Sequence, residues 1–349
     1  MSRPRLAIGP ANYAGQAHAW AQAVRDHLPA DAWSFAPDRG GFNFAVDRRL
    51  GPLANRNPVL RSVRSNRFFR GTTHVAVDGF EVFFHLKRRG KLAGDLRQLR
   101  RAGKQVALIS HGSDTRDPQA HLARVGHSYF REGDDAWRAA LTASTAETRA
   151  IAEGSGLPLF YSTPDLAHDL PSGRWLPTTI DVDGWRSDQP LLERRRPRVL
   201  HVPSRRNPPI KGTQYIEPPL RELDAAGVIE YVSPEGVPHS EMRALVQSVD
   251  VVVDQILMGS YGVAAVEAMA AGRVVVGSLD DVRDLLEEAP EFVETTPSGV
   301  RDAILRIVEE RDAMRESAER NLAFVRRWHD GRESAARLSG FLGLAGEES

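Results

Sequence analysis

One carboxylate stands inside an otherwise apolar run, VVVDQILMGSYGVAAVEAMAAGRVVV, from Val251 to Val276. Glu267 lies near the middle of its helical part among Val, Ala and Met, and an acid in such company needs a partner. A ligand hydroxyl would serve. Upstream, the stretch His201-Val202-Pro203-Ser204-Arg205-Arg206-Asn207-Pro208-Pro209-Ile210-Lys211-Gly212-Thr213 leaves a strand and enters a helix. Arg205 and Lys211 can there converge on one anion, and the helix dipole adds to their field. The chain has four lysines against 42 arginines, and Lys211 is the sole lysine of its second half. A compact ammonium where every other base is a guanidinium suits a site needing a point charge, although chance placement gives the same residue.

Near the N-terminus, Gly9-Pro10-Ala11-Asn12-Tyr13-Ala14-Gly15 joins a strand to a helix. Backbone N–H groups at such a helix start can hold phosphate or sugar oxygens. The spacing is not that of a dinucleotide fingerprint, and alone the loop does no more than a plain βα turn would. His111 closes a strand and reads equally as a satisfied histidine. Asp114 and Asp117 read as turn and N-cap residues. Asp181-Val182-Asp183 has the form of a metal-binding pair but sits in a proline-rich connection, where turn and capping roles are expected. The eleven histidines show no zinc spacing, and no metal site is expected.

The elements that must position these residues alternate. Strands are expected at Arg5 to Ile8, Thr73 to Val77, Gln105 to Ser110, Leu157 to Tyr161 and Arg174 to Leu176, with helices at Gln16 to His27, Leu92 to Ala102 and Ala136 to Glu153. A second series runs through Arg198 to Val202, Ile229 to Val232, Val251 to Ile256 and Val274 to Gly277. Each series is the pattern of a doubly wound α/β domain, whose ligands bind at the carboxyl ends of the strands. The expected organisation is an N-terminal Rossmann-like domain over 1–180, a hinge over 181–197, a C-terminal Rossmann-like domain over 198–328, and a helix with a polar tail over 329–349. From Ala303 onward the chain reads as nearly continuous helix.

The 349 residues suit two cores, and the absence of cysteine excludes disulfides, thiolate metal sites and cysteine nucleophiles. No signal-peptide pattern or bilayer-length apolar run is present, so the expected location is cytoplasmic. The zero net charge hides an asymmetry: residues 1–180 hold 25 Lys and Arg against 16 Asp and Glu, residues 181–349 hold 21 against 30, giving +9 and −9. The excess is densest from Asp47 to Arg70, where seven arginines accompany Leu60, Val63, Phe68 and Phe69. Such a segment suits an anionic membrane face and equally a solvated basic helix. Nucleic acid is not expected, because no recognised nucleic-acid-binding pattern occurs.

Arg205, Lys211 and Gly262 to Gly272, GVAAVEAMAAG, together resemble the retaining nucleotide-sugar glycosyltransferases of family four (glycosyl transferases group 1), across most of the chain. The loop ending at Gly15, the segment Ile109 to Asp114, Ser162 to Asp165, and Trp175 to Pro177 with Ile180-Asp181 extend the resemblance. It implies the GT-B fold, with two Rossmann-like domains facing across a cleft. It further implies that Arg205 and Lys211 bind the donor diphosphate, Glu267 accepts hydrogen bonds from ribose hydroxyls, His111 lies beside the donor sugar and Gly15 approaches the phosphates. Backbone groups near Val232 and Val237 would read the base. Gln255, Gly259, Ser260, Tyr261 and Gly262 form the loop nearest the donor sugar, though Tyr261 could instead simply pack. One departure stands out: where the family commonly has a second glutamate, eight residues before the position of Glu267, this chain has Gly259.

The resemblance implies a glycosyltransferase that moves a sugar from a nucleoside-diphosphate sugar to a glycan or lipid-linked acceptor. It would work with retention, with no metal or cofactor beyond the nucleotide-sugar co-substrate, in the cytoplasm or at the inner face of the membrane. Two alternatives share the residues: a nucleotide-sugar 2-epimerase of the same fold, and a non-catalytic nucleotide-sugar-binding subunit.

Overall fold

The computed structural model describes residues 3–37, 44–51, 57–84, 92–203, 208–234 and 236–344. They fall into two compact units, each discontinuous in sequence. Unit 1 comprises Met1–Arg116, Ser144–Thr179 and Gly331–Ser349; unit 2 comprises Asp117–Ala143 and Ile180–Asp330.

Unit 1 is a seven-stranded parallel sheet in the order β3-β2-β1-β4-β5-β6-β7. The strands are β1 (Arg5–Gly9), β2 (Asp31–Pro37), β3 (Arg48–Leu50), β4 (His74–Asp78), β5 (Gln105–Ser110), β6 (Leu159–Tyr161) and β7 (Arg174–Trp175). Helices α1 (Gln16–His27), α2 (Pro58–Phe68) and α3 (Leu92–Arg101) make the crossovers. Leu6, Ile8, Ala76, Ala107 and Ile109 turn one sheet face toward Trp20 and Val24 of α1, while Ala7, Val75, Val77 and Leu108 turn the other toward Phe69, Leu96 and Leu99. Both faces are covered, which is why these strands read as continuous apolar runs.

Helix α4 (Pro118–Arg124) and the start of α5 (Asp135–Gly154) belong to unit 2, and the chain re-enters unit 1 within α5. Unit 2 is a five-stranded parallel sheet, β12-β11-β10-β8-β9, built from β8 (Arg198–Leu200), β9 (Glu230–Val232), β10 (Val251–Val253), β11 (Val274–Gly277) and β12 (Val293–Glu294). Its helices are α6 (Val182–Trp185), α7 (Thr213–Ala225), α8 (His239–Gln247), α9 (Val263–Ala270), α10 (Val300–Glu309) and α11 (Arg311–Trp328); α12 (Arg332–Ser339) returns to unit 1.

Several expectations change. Residues 117–143 lie in unit 2, although their sequence neighbours on both sides lie in unit 1. The expected hinge is packed into unit 2: the Arg311 guanidinium donates to the carbonyls of Leu192, Arg194 and Arg195, and the buried Asp250 accepts from the Leu192 and Arg198 amides. Asp181 caps α6 by accepting from the Gly184 amide, as its turn-and-cap reading expects. The C-terminal helix is three helices, the last starting at Gly331 with φ of 100°, a conformation that favours glycine. Strands β2, β3 and β12 lack the apolar runs by which the other strands are read. No helix among the described residues is long and apolar enough to cross a membrane.

Gly9, at the end of β1, shows how tightly the sheet closes: a Cβ there would meet the Phe35 carbonyl oxygen at 2.1 Å. The Gly9→Ala substitution should therefore destabilise the protein by about 1–3 kcal/mol, measured as a lower midpoint in denaturant unfolding.

Candidate functional site

Strand order places the chemistry. In unit 2, β8 lies between β9 and β10, so the loops following β8 and β10 diverge at a topological switch point, where doubly wound sheets bind ligands. Lys211 comes from the first loop and Asp254 from the second, with Nζ 2.7 Å from Oδ1. The lysine is mostly buried and the aspartate almost wholly so. The Lys211 carbonyl accepts from the Ile256 amide at 3.1 Å, tying the two loops by backbone as well. Gly212, at φ 86°, turns the chain into α7, and a Cβ there would meet Ile256 and Leu257 at 2.8–3.0 Å.

His201, fully buried at the end of β8, latches the arrangement. Its Nδ1 lies 2.8 Å from the Val253 carbonyl, which can only accept, so Nδ1 carries the proton. Its Nε2 then accepts from the Thr213 hydroxyl at 3.0 Å, joining the ends of β8 and β10 to the first turn of α7. Burial, reinforced by the Lys211 charge, pushes its pKa down to about 4, so the ring is neutral. An open recess of about 340 Å³, lined by Pro209, Thr213, Gln214, Glu217, Pro218 and Arg221, runs along the same part of α7.

Glu267 lies on α9, the helix that follows the second loop. Among the described residues no side chain gives it a hydrogen bond or an ion pair. It keeps some surface accessible, yet desolvation pushes its pKa up to about 8; Lys211 and Arg243 oppose that rise and Asp254 adds to it. Arg205 lies outside the described residues. Val232 ends β9, and its carbonyl accepts from the His201 amide at 3.3 Å; Val237 is partly exposed in the connection to α8.

The loop between Asp254 and Gly262 is held from within and without. The Gln255 amide nitrogen donates to the Ser260 carbonyl at 2.7 Å, and Ser260 is buried. Gly259 has φ 68° and accepts at its carbonyl from the Asp281 amide, and a Cβ there would meet the Asp281 backbone at 2.9 Å. A side chain does not fit at this position, which accounts for glycine where the resembling family has glutamate. Tyr261 packs, as one of its two readings expects: it is buried against Phe292 and Phe324, its hydroxyl 3.4 Å from His329 Nε2, and burial pushes its pKa up. Gly262 is extended and begins α9.

The segment excised from unit 1 braces this loop. His121, fully buried, donates from Nε2 to the Met258 carbonyl at 3.1 Å and accepts at Nδ1 from Ser128. The Tyr129 amide donates to the Leu257 carbonyl, and Arg124 grips Asp281 with two nitrogens at 3.0 and 3.2 Å.

Unit 1 repeats the logic at its own switch point, between β1 and β4. Asp78, fully buried at the end of β4, accepts from the Ala11 and Asn12 amides at 2.7 and 2.8 Å and so fixes the loop that ends at Gly15. Gly15 has φ 75° and begins α1. His111 places Nε2 3.2 Å from Asp78, stacks on Trp20 at 5.5 Å between ring centroids and meets the edge of the exposed Tyr13 at 5.2 Å. The carboxylate only accepts, so Nε2 donates to it. Asp114 accepts from the His111 and Gly112 amides and Asp117 caps α4, as their turn-and-cap reading expects. Sequence reasoning missed the roles of Asp78, His201 and His121; the first two share one signal, a polar residue directly closing an apolar strand.

The architecture has close parallels among solved structures. Sucrose-phosphate synthase from Thermosynechococcus elongatus superposes with a TM-score of 0.59 at 13% identity, over 97% of this chain and 98% of that one. The catalytic domain of starch synthase IV from Arabidopsis thaliana, bound to ADP and acarbose, gives 0.57 at 10% identity over 98% and 99%. A UDP-N-acetylglucosamine 2-epimerase gives 0.53 at 14% identity over 100% and 99%. The chain has the GT-B fold. No family model matches the sequence, and no curated protein matches it.

In this GT-B chain, Lys211, Asp254 and Glu267 are electrostatically coupled in unit 2, and Gly15 and His111 are joined through Asp78 in unit 1. Glu267 carries a consequence for stability. Its pKa is about 8 in the folded chain against an ordinary 4.5, so between those values the unfolded chain ionises and the folded one does not. Stability contributed by this group is thus lost as pH rises through that window. The Glu267→Gln variant should melt higher than the parent, by a margin that widens from pH 5 to pH 8 in thermal unfolding.

Proposed function

We propose that the protein transfers a glycosyl group from a nucleoside-diphosphate sugar to a glycan or lipid-linked acceptor, with retention and without a metal. The observation that carries this reading is the Lys211–Asp254 pair at a switch point, together with Glu267, an acid that no side chain among the described residues hydrogen-bonds or ion-pairs. The fold is shared with nucleotide-sugar enzymes, including a structure with bound UDP-glucose.

Departure of a nucleoside diphosphate develops negative charge on the β-phosphate. Lys211, joined by Arg205, stabilises that charge, and Asp254 holds the ammonium in place before the donor arrives. Glu267 accepts from the ribose hydroxyls, the backbone near Val232 and Val237 reads the base, and Gln255, Gly259, Ser260 and Gly262 shape the loop nearest the sugar. His111, oriented by Asp78, lies beside the donor sugar, and Gly15 approaches the phosphates. Retention places the acceptor on the face that the diphosphate leaves, so a phosphate oxygen takes the acceptor proton.

Calorimetric titration with uridine, guanosine and adenosine diphosphates tests the donor site. Lys211→Ala should weaken the nucleotide that binds and lower transfer by about 30- to 1000-fold, equivalent to roughly 2–4 kcal/mol. Unchanged affinity would remove Lys211 from the diphosphate site. Ribose hydroxyls favour the ionised form of Glu267, so binding below pH 8 should release a proton and tighten as pH rises toward about 8; Glu267→Gln should abolish that rise. Because a 2-epimerase shares the fold, the same incubations are assayed without acceptor for epimerised nucleotide sugar. Binding with neither transfer nor epimerisation would identify a non-catalytic subunit.

A further inference from the structure

Helix α2 has two apolar faces where packing needs one. Phe68 and Phe69, with the buried Ser65, turn inward, and the two phenylalanines meet Trp33 and Phe35 with ring centroids 5.4–5.9 Å apart. On the opposite side Val59, Leu60 and Val63 are 69%, 48% and 59% exposed. At spacings of one and four they share a single helical face, so they form a patch rather than scattered exposures. The Asn57 side chain accepts from the Val59 and Leu60 amides and fixes the start of the helix, which holds these side chains outward.

The chain segment that carries this patch is of one sign. From Arg48 to Val77 the chain has seven arginines and no Asp or Glu. Arg64 and Arg67 continue the exposed face one turn beyond Leu60 and Val63, and Arg70 is exposed just after the helix. Arg48, on β3, sets its guanidinium carbon 4.1 Å from the centroid of the Trp33 ring. A short aliphatic ridge bordered by guanidinium groups matches a surface that is anionic outside and apolar just beneath. Single-stranded nucleic acid would call for outward aromatic rings on which bases stack, and the outward residues here are aliphatic.

We propose that α2 docks unit 1 onto an anionic lipid bilayer, with Val59, Leu60 and Val63 entering the interface and Arg64, Arg67 and Arg70 meeting the headgroups. This surface is independent of the donor site, so the two readings stand or fall separately.

The test is sedimentation of the full chain with vesicles of phosphatidylcholine alone, or of phosphatidylcholine with an equal part of phosphatidylglycerol. The chain should partition onto the anionic vesicles and not onto the neutral ones, and added salt should weaken the binding. Two double variants change exposed residues only: Leu60→Ser with Val63→Ser, and Arg67→Glu with Arg70→Glu. Each should lower partitioning at least about tenfold while the far-ultraviolet circular dichroism and melting temperature hold. Should one variant unfold, the other still decides. Lys211→Ala should bind vesicles as the parent does. Failure to bind anionic vesicles, equal binding to both compositions, unchanged binding by both double variants, or binding of single-stranded RNA in place of vesicles would overturn the proposal.

Discussion

Among the described residues, Lys211 is ion-paired to only one of the two acids at the unit 2 switch point, and the properties of the candidate site follow from that division. Burying a charge is costly unless it is paired, and Lys211 is held against Asp254 at 2.7 Å. Among the described residues Glu267 has no ion pair, and desolvation raises its pKa against the opposing charges of Lys211 and Arg243. The cluster is therefore electrostatically incomplete by itself. A ligand bringing both an anion for Lys211 and hydroxyl donors for Glu267 would complete it, and a nucleoside diphosphate carries both groups in one molecule.

The two units use one device twice. In each sheet, the strand next to the first strand on the far side of the switch ends in a buried aspartate, Asp78 after β4 and Asp254 after β10. Each reaches across to the loop that follows the first strand. Asp78 takes two backbone amides and His111; Asp254 takes the Lys211 ammonium. The same topological position thus orders a backbone loop in one unit and a side-chain cation in the other. The unit 2 loop has further support from outside. That support comes from His121, Arg124 and Tyr129, on a segment far away in sequence.

Much of this was legible in the sequence where burial on both faces imposes continuous apolar runs. Val251 to Val253, Val274 to Val276 and Gln105 to Ser110 are such strands, and the acid at Glu267 stood out against its neighbours for the same reason. Strand β2, Asp-Ala-Trp-Ser-Phe-Ala-Pro, interleaves polar and aromatic residues, and β3 is only Arg-Arg-Leu; neither has a pattern that separates it from a loop. The placement of 117–143 in unit 2 rests on contacts spanning more than a hundred residues, from His121 to Met258 and from Arg124 to Asp281, which no local period encodes. Tyr261 could have faced a ligand or the core, and only packing against Phe292 and Phe324 decides it.

The most direct measurement is a crystal structure of the chain with the uridine, guanosine or adenosine diphosphate that it binds. The account predicts diphosphate oxygens within hydrogen-bond distance of Lys211 Nζ and ribose hydroxyls on the Glu267 carboxylate. A nucleotide seated away from both residues would contradict it.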